Sequence, residues 1–246
     1  MSMSYFIMLL LHFSVYSFAG WIMETIYVSW MQKKFVNRGF LHGPFCPIYG
    51  FGAILVIFGR RFICDFTINT PLSYIILIIY SILVTSGIEF ITGYLLEKIF
   101  HQKWWDYSNL PMNIKGYICP RFSLYWGALA FVFIQIIHPR INMFIMGIPE
   151  LIKTTISVIL VLYFIIDASK TVVNILDLRK TIVHYSNVSI QKYRNKILQY
   201  RRYFHAFPRL QALNSGIKNR DVKGILNDRI EKFKAEIKTR FDQRKG

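Results

Sequence analysis

Four acidic side chains lie inside or at the ends of long apolar stretches of this 246-residue chain: Glu24, Glu89, Glu97 and Asp167. An ionised carboxylate in hydrocarbon is costly, so such a group normally faces other protein or water and can bind a cation, a proton or a polar substrate. Glu89 is the main candidate for a binding role. Glu24 fits either that role or an ion pair with Arg38, whereas Glu97 and Asp167 are expected to serve local structure.

Glu89 also belongs to a regular row. Ser81, Thr85, Glu89, Gly93 and Glu97 follow one another at intervals of four, which places them on one face of a helix. A face of small and polar residues between apolar ones is typical of a helix that turns this side to the interior of a bundle, for binding or for close helix packing.

A second unusual feature is a glycine- and proline-rich segment, expected as a cytoplasmic loop over residues 31–53. Glycine costs backbone entropy in a helix, and proline removes a donor and clashes with the preceding turn. Near a membrane, irregular backbone needs protein or water around it. Its signature residues are Asn37, Gly39, Gly43, Pro44, Cys46, Pro47, Tyr49 and Gly50.

Further side chains near these carboxylates have chemical potential. Arg38 or His42 would supply a counter-charge, and Asp106 in the segment after residue 100 is a further binding candidate. His42 and Cys46 are four apart, as a base and a thiol nucleophile could be, but no third group orients them. A metal site from Glu24, His42, Glu89 and Asp106 lacks diagnostic spacing. We therefore expect no metal, no cofactor and no catalytic residue.

Hydrophobic residues make up 54% of the chain and aromatic residues 17%, which indicates an all-α integral membrane protein. Apolar windows of sufficient length predict about five spans. These cover residues 4–30, 47–62, 72–99, 122–137 and 151–176. Trp104, Trp105 and Tyr107 suit an aromatic belt at the membrane interface, at least for two of the three.

Charge predicts the orientation and divides the chain. Residues 170–246 hold 19 Lys and Arg against six Asp and Glu, whereas residues 1–169 form the transmembrane bundle. Because positive segments stay inside, this tail is expected in the cytoplasm, and five spans then place the N-terminus outside.

The tail itself has a seven-residue apolar repeat flanked by basic residues, which predicts an amphipathic helix. The repeat consists of Leu176, Val183, Ile190, Ile197 and Phe204, and a second apolar face follows with Leu226, Ile230, Phe233, Ile237 and Phe241. Anionic lipid headgroups are the favoured partner, since each Lys or Arg near such a surface gains about 1 kcal/mol. A partner helix is the second alternative, and nucleic acid is a distant third because no binding fold accompanies the charge.

Three blocks of residues together resemble a known family. They are Gly20-Trp21-Ile22-x-Glu24, then residues 37–53, then Trp105-Asp106-Tyr107-Ser108 with Asn113-x-x-Gly116-Tyr117-Ile118. These closely resemble the bacterial membrane family called putative ABC-transporter type IV, or CmpB-like, over roughly residues 5–170. The resemblance implies a multi-span permease component in the cytoplasmic (inner) membrane of a bacterium. The sequence contains no G-x-x-x-x-G-K-[ST] phosphate loop, so an ATPase would be a separate subunit.

Three functions are consistent with these features. The first is a transport component with a cytoplasm-facing polar site, working with a separate ATPase or as a homo-oligomer. The second is a membrane scaffold or regulator that recruits partners or anionic lipid without transport. The third is a membrane-embedded enzyme on a lipid substrate with Glu89 or Asp106 as acid or base, which ranks last because the catalytic set is incomplete.

Overall fold

The protein is mostly helical. The computed structural model describes residues 3–66, 71–183, 201–207, 211–212 and 220–221. The long helices are α1 (Met3–Gln32), α2 (Pro47–Phe66), α3 (Pro71–Phe100) and α6 (Glu150–Val183). Shorter ones are α4 (Pro120–Val132), a π-helix (Phe133–Ile137), α5 (His138–Met146) and α7 (Arg201–Ala206).

Among the described residues, four segments are long and apolar enough to cross a membrane: Met3–Gln32, Pro71–Phe100, Pro120–Met146 and Glu150–Leu178. This confirms four of the predicted spans as helices of suitable length and composition. The predicted span 47–62 is a helix too, α2, but it is not among these four. The count of five and the orientation therefore stay predictions.

The span predicted over residues 122–137 continues as a helix to Met146. It passes His138-Pro139-Arg140, where a proline and a charged residue would ordinarily favour the end of an apolar helix. The wider turn of the π-helix comes just before Pro139, which lies in the first turn of α5. Proline has no N–H to donate to the preceding turn, and the wider π-turn gives its ring room. The helical segment therefore runs without interruption from Pro120 to Met146.

Helices α1 and α2 approach each other closely because of two glycines. A Cβ atom added at Gly20 would overlap the Tyr49 ring, and one at Gly50 would lie 2.7 Å from the carbonyl oxygen of Phe13. Real Cβ atoms essentially never show such contacts. The absence of a side chain at both positions therefore sets the separation of the two helices.

Apolar side chains are distributed as in a protein surrounded by hydrocarbon. Small buried clusters hold the helices together, such as Val56, Leu77, Ala130 and Ile134. Large apolar residues remain exposed on the outward faces, among them Ile26, Leu83, Phe144 and Leu151. A water-soluble protein rarely exposes apolar surface on this scale, whereas a lipid-facing surface requires it.

The chain divides into two compact units. The first contains residues 1–94 and 107–171, and the second contains residues 95–106 and 172–246. In the second unit, three two-residue strands pair antiparallel in the order β1 (Gln102–Lys103), β2 (Gln211–Ala212) and β3 (Arg220–Asp221). Trp104 packs on Phe207, with ring centroids 4.7 Å apart.

The predicted tail helices lie mostly outside the described residues. Within the described part, α6 continues to Val183, and α7 contains Phe204 of the repeat. The remaining repeat positions after Val183 and the second apolar face from Leu226 to Phe241 fall outside it.

Candidate functional site

Glu89 is buried in the first unit, with only 7% of its surface exposed. Its two carboxylate oxygens accept hydrogen bonds from two aromatic side chains. The Tyr107 hydroxyl donates to Oε1 over 3.0 Å, and the Trp126 indole donates to Oε2 over 3.2 Å. Ser81 is also buried, which agrees with the predicted inward face of α3.

Glu24 occupies a comparable position on α1. It accepts a 2.6 Å hydrogen bond from the Tyr49 hydroxyl and pairs with Arg38, whose Nε lies 3.4 Å from Oε2. The pair is partly exposed, at 22% for Arg38 and 30% for Glu24. The predicted counter-charge is therefore Arg38, and this exposed ion pair alone contributes little to stability.

The two carboxylates are joined through their aromatic donors. The rings of Tyr49 and Trp126 meet edge to face with centroids 5.5 Å apart, so Glu24, Tyr49, Trp126 and Glu89 form one connected group. We call these four residues, with Tyr107, the carboxylate cluster. It combines side chains of α1, α2, α3 and α4 with one from the segment that connects α3 to α4.

Tyr107 lies outside the candidate spans, and its hydroxyl interacts electrostatically with both Glu89 and Glu24. Burial raises the pKa of its hydroxyl, and the negative charges of Glu89 and Glu24 raise it further. The hydroxyl therefore keeps its proton at physiological pH and acts as a donor to Glu89. A left-handed turn positions it: Gly116 has φ of 73° and accepts a 2.8 Å bond from the Tyr107 amide.

The segment between α1 and α2 is shorter than the predicted loop of residues 31–53, because α2 begins at Pro47, where a proline starts a helix readily. Asn37 organises the non-helical part. Its Oδ1 accepts from the Trp21 indole and the Gly39 amide, and its Nδ2 donates to the His42 carbonyl. These bonds satisfy loop backbone that would otherwise be unpaired.

Asp167 on α6 fixes the middle of this loop. It is 6% exposed and accepts from the backbone amides of His42 at 3.0 Å and Gly43 at 2.9 Å. A Cβ at Gly43 would overlap the Tyr163 hydroxyl, so only glycine fits against α6 here. The His42 ring lies 2.9 Å from the Thr171 hydroxyl. The expected structural role of Asp167 is thus observed, in a form that the sequence did not specify.

The other predicted site residues have local roles. Cys46 is buried, and its amide donates to the Ser17 carbonyl. Pro47 begins α2. Pro44 directly follows Gly43, whose amide donates to Asp167. Asp106 belongs to the second unit and pairs with Lys103 at 3.3 Å. Within the described residues, no group of three or more His, Cys, Asp or Glu could hold a metal ion.

Sequence reasoning missed the partners of these residues. The sequence did not indicate a hydrogen-bonding role for Trp126, since a tryptophan in an apolar span is expected to pack against its neighbours. The aromatic-belt interpretation did not specify that Tyr107 donates to Glu89 or that Trp104 is buried at 3% exposure. Spacing could not reveal these contacts because donor and acceptor lie 18 to 37 positions apart.

The carboxylate cluster brings two acidic groups together between helices. Each oxygen of Glu89 accepts one hydrogen bond from an aromatic side chain, whereas Glu24 accepts from Tyr49 and pairs with Arg38. Carboxylates in such surroundings are functional candidates in membrane proteins.

Comparison with known families identifies a family to which the chain is similar. The profile of the family described as Putative ABC-transporter type IV matches residues 11–172. This range contains Glu24, the loop, Glu89, Trp126 and Asp167. No curated protein and no solved structure matches the chain.

Proposed function

The chain belongs to the Putative ABC-transporter type IV family, and from this premise we propose that it is the membrane-embedded component of a transport system. In this proposal the carboxylate cluster is the polar site, it opens to the cytoplasm, and a separate ATPase drives it. The single observation that supports the proposal most is the burial of Glu89 in a membrane-capable helix. Such a residue is expensive to keep and is a functional candidate by default.

We further propose five spans, with α2 as the fifth. This number places the N-terminus outside and puts the α1–α2 loop, the segment after α3 and the basic tail in the cytoplasm. Positive charge in these segments supports the orientation. The tail would lie on anionic headgroups of a bacterial cytoplasmic membrane.

Cysteine accessibility tests both the water path and its direction. In a background with Cys46, Cys64 and Cys119 replaced by alanine, Thr85→Cys places a thiol one helical turn from Glu89. We expect an impermeant maleimide to label it in inverted membrane vesicles and not in intact cells. The reagent needs thiolate, which forms in water and not in hydrocarbon.

Leu83→Cys is the matched control, because Leu83 is 67% exposed on the lipid-facing side of the same helix. It should stay unlabelled in both preparations. Labelling of Thr85→Cys from outside would contradict the orientation. Equal protection of both positions would contradict a water path and support the scaffold alternative.

Co-purification tests whether a separate ATPase subunit supplies the energy for transport. Because the sequence has no phosphate loop, a tagged chain extracted from its native membrane in mild detergent should co-purify an ATPase. The measurement is ATP hydrolysis in the eluate, compared with an eluate from an unrelated tagged membrane protein. Hydrolysis no greater than in that control would count against the ATP-driven form of the proposal.

A membrane scaffold is the second candidate, and one observation favours it. Both oxygens of Glu89 and both of Glu24 already hold protein partners. A cluster closed in this way stabilises a fold without binding anything else. The accessibility experiment separates the two functions.

A further inference from the structure

A second polar cluster lies in the first unit, apart from the carboxylates. His12 and Tyr16 on α1 meet His138, the first residue of α5. The Tyr16 hydroxyl is 2.7 Å from Nδ1 of His138, and the rings of His12 and His138 have centroids 5.5 Å apart. Along α1, His12 precedes Glu24 by about 18 Å at ~1.5 Å per residue, so this group does not belong to the carboxylate cluster.

The hydrogen bond of the His12 ring shows which of its two nitrogens carries a hydrogen. Nδ1 lies 2.8 Å from the Met8 carbonyl oxygen, and a carbonyl only accepts, so Nδ1 carries a hydrogen. In the neutral ring, Nε2 is then a bare acceptor. That atom is buried and makes no hydrogen bond of ordinary geometry in the described part of the chain, although the Asn142 side chain of α5 interacts with the ring, on a residue that is 7% exposed. Buried polar atoms are rarely left so, and an unpaired one calls for an explanation.

Tyr16 suits both charge states of its neighbour. A phenol hydroxyl can donate to a neutral imidazole nitrogen or accept from a protonated one. The 2.7 Å bond to His138 therefore survives protonation by reversing its direction, without movement of either ring. Tyr16 is 4% exposed, and Phe133 packs on its ring with centroids 4.8 Å apart, which holds the hydroxyl in place.

The irregular turn next to His138 contributes to this geometry. A π-turn adds one residue to the helix and rotates the residues after it by about 100°. It also leaves backbone acceptors without their usual partners. The Arg60 guanidinium of α2 donates to the Ile134 carbonyl over 2.8 Å. Single π-turns inside α-helices occur frequently at functional sites.

We propose that His12, Tyr16 and His138 form a proton-binding site inside the bundle, with one proton shared by the two histidines. The groups facing the pair set this limit. Arg60 from α2 interacts electrostatically with His138, as does His12 from α1, while the Asn142 amide from α5 interacts with His12. The Arg60 guanidinium repels any proton added here in a medium of low dielectric constant, and a second imidazolium would add repulsion between the two rings, so the site takes at most one proton.

The site does not depend on the transport proposal. A proton bound here changes the charge at the α1–α5 contact, whatever the carboxylate cluster does. The ligand needs no cofactor, and the reaction is a reversible protonation of an imidazole nitrogen.

Histidine titration in the full-length protein tests this site. The chain is labelled with ¹⁵N-histidine and reconstituted in lipid nanodiscs with EDTA, and ring nitrogen shifts are recorded between about pH 4 and pH 8. His138→Gln should move the titration midpoint of His12 by at least about half a pH unit, because coupled groups titrate as a pair. His101→Gln, at an exposed histidine, is the matched control and should leave that midpoint unchanged.

Tyr16→Phe keeps the ring that packs on Phe133 and removes only the hydroxyl, so it tests the site even when His138→Gln fails to fold. The expected result is a shifted midpoint for His138 with an unchanged one for His101. The proposal is overturned when the His12 and His138 midpoints do not respond to loss of each other or of the hydroxyl. It is also overturned when neither ring takes up a proton over the measured range, or when both rings titrate independently, each taking up a full proton.

Discussion

Asp167→Ala is expected to lower the free energy of unfolding by about 3–6 kcal/mol, from two charge-assisted hydrogen bonds worth about 1.5–3 kcal/mol each. The carboxylate accepts from the amides of His42 and Gly43 and is 6% exposed. Alanine removes both acceptors and leaves the two amides unpaired against α6. The middle of the loop then loses its attachment to this helix.

Thermal unfolding in detergent measures the stability, and trypsin cleavage after Lys33, Lys34 and Arg38 reports on the loop. Both should change in Asp167→Ala, and Asp167→Asn should give a smaller effect because one acceptor oxygen remains. Ser169→Ala is the matched control on the same helix, since Ser169 is exposed and its hydroxyl bonds only within α6. Cleavage of Asp167→Ala at the wild-type rate would show that the loop is held in another way.

Gly50→Ala is expected to destabilise the protein by about 2–3 kcal/mol through overpacking. The new Cβ would lie 2.7 Å from the Phe13 carbonyl oxygen, and it would overlap the Ser17 hydroxyl. Backbone of a neighbouring helix cannot move aside as a side chain can, so α1 and α2 must separate. Tyr49 directly precedes Gly50, so the separation of α1 and α2 would move the Tyr49 hydroxyl away from Glu24.

Gly52→Ala is the matched control two residues further along α2. The nearest atom to its added Cβ is Ile88 Cδ1 at 4.0 Å, an ordinary contact. Alanine should stabilise this position by up to about 1 kcal/mol, because glycine is the poorer helix former. Thermal unfolding of the two variants should therefore shift in opposite directions, and a shift in the same direction would refute the close approach of α1 and α2 at Gly50.

Helical class and membrane character followed from composition and from the length of the apolar stretches. The inward face of α3 was also predictable, because a period of four on a helix fixes which residues share a side, and Ser81 and Glu89 are both buried. The ion pair of Glu24 with Arg38 was one of two alternatives that the sequence left open.

Helix boundaries were less predictable where local signals conflicted. Proline after His138 indicates an end, but the π-turn before it accommodates the ring, so the helix continues. The loop predicted over residues 31–53 overlaps the span predicted over residues 47–62, and α2 begins at Pro47, as the predicted span does. In both cases packing against neighbouring helices outweighs the intrinsic preference of a few residues.

By itself, the sequence determined which residues are too polar for their surroundings: Glu24, Glu89 and Asp167 among the acids. Only the tertiary structure decided what each one binds. Trp126 reaches Glu89 and Asp167 reaches the His42 amide across 37 and 125 positions. The sequence shows that burial of these carboxylates is costly, because the residues on either side of them along the chain are apolar. The partner that offsets the cost comes from another helix, and its position depends on how the helices pack.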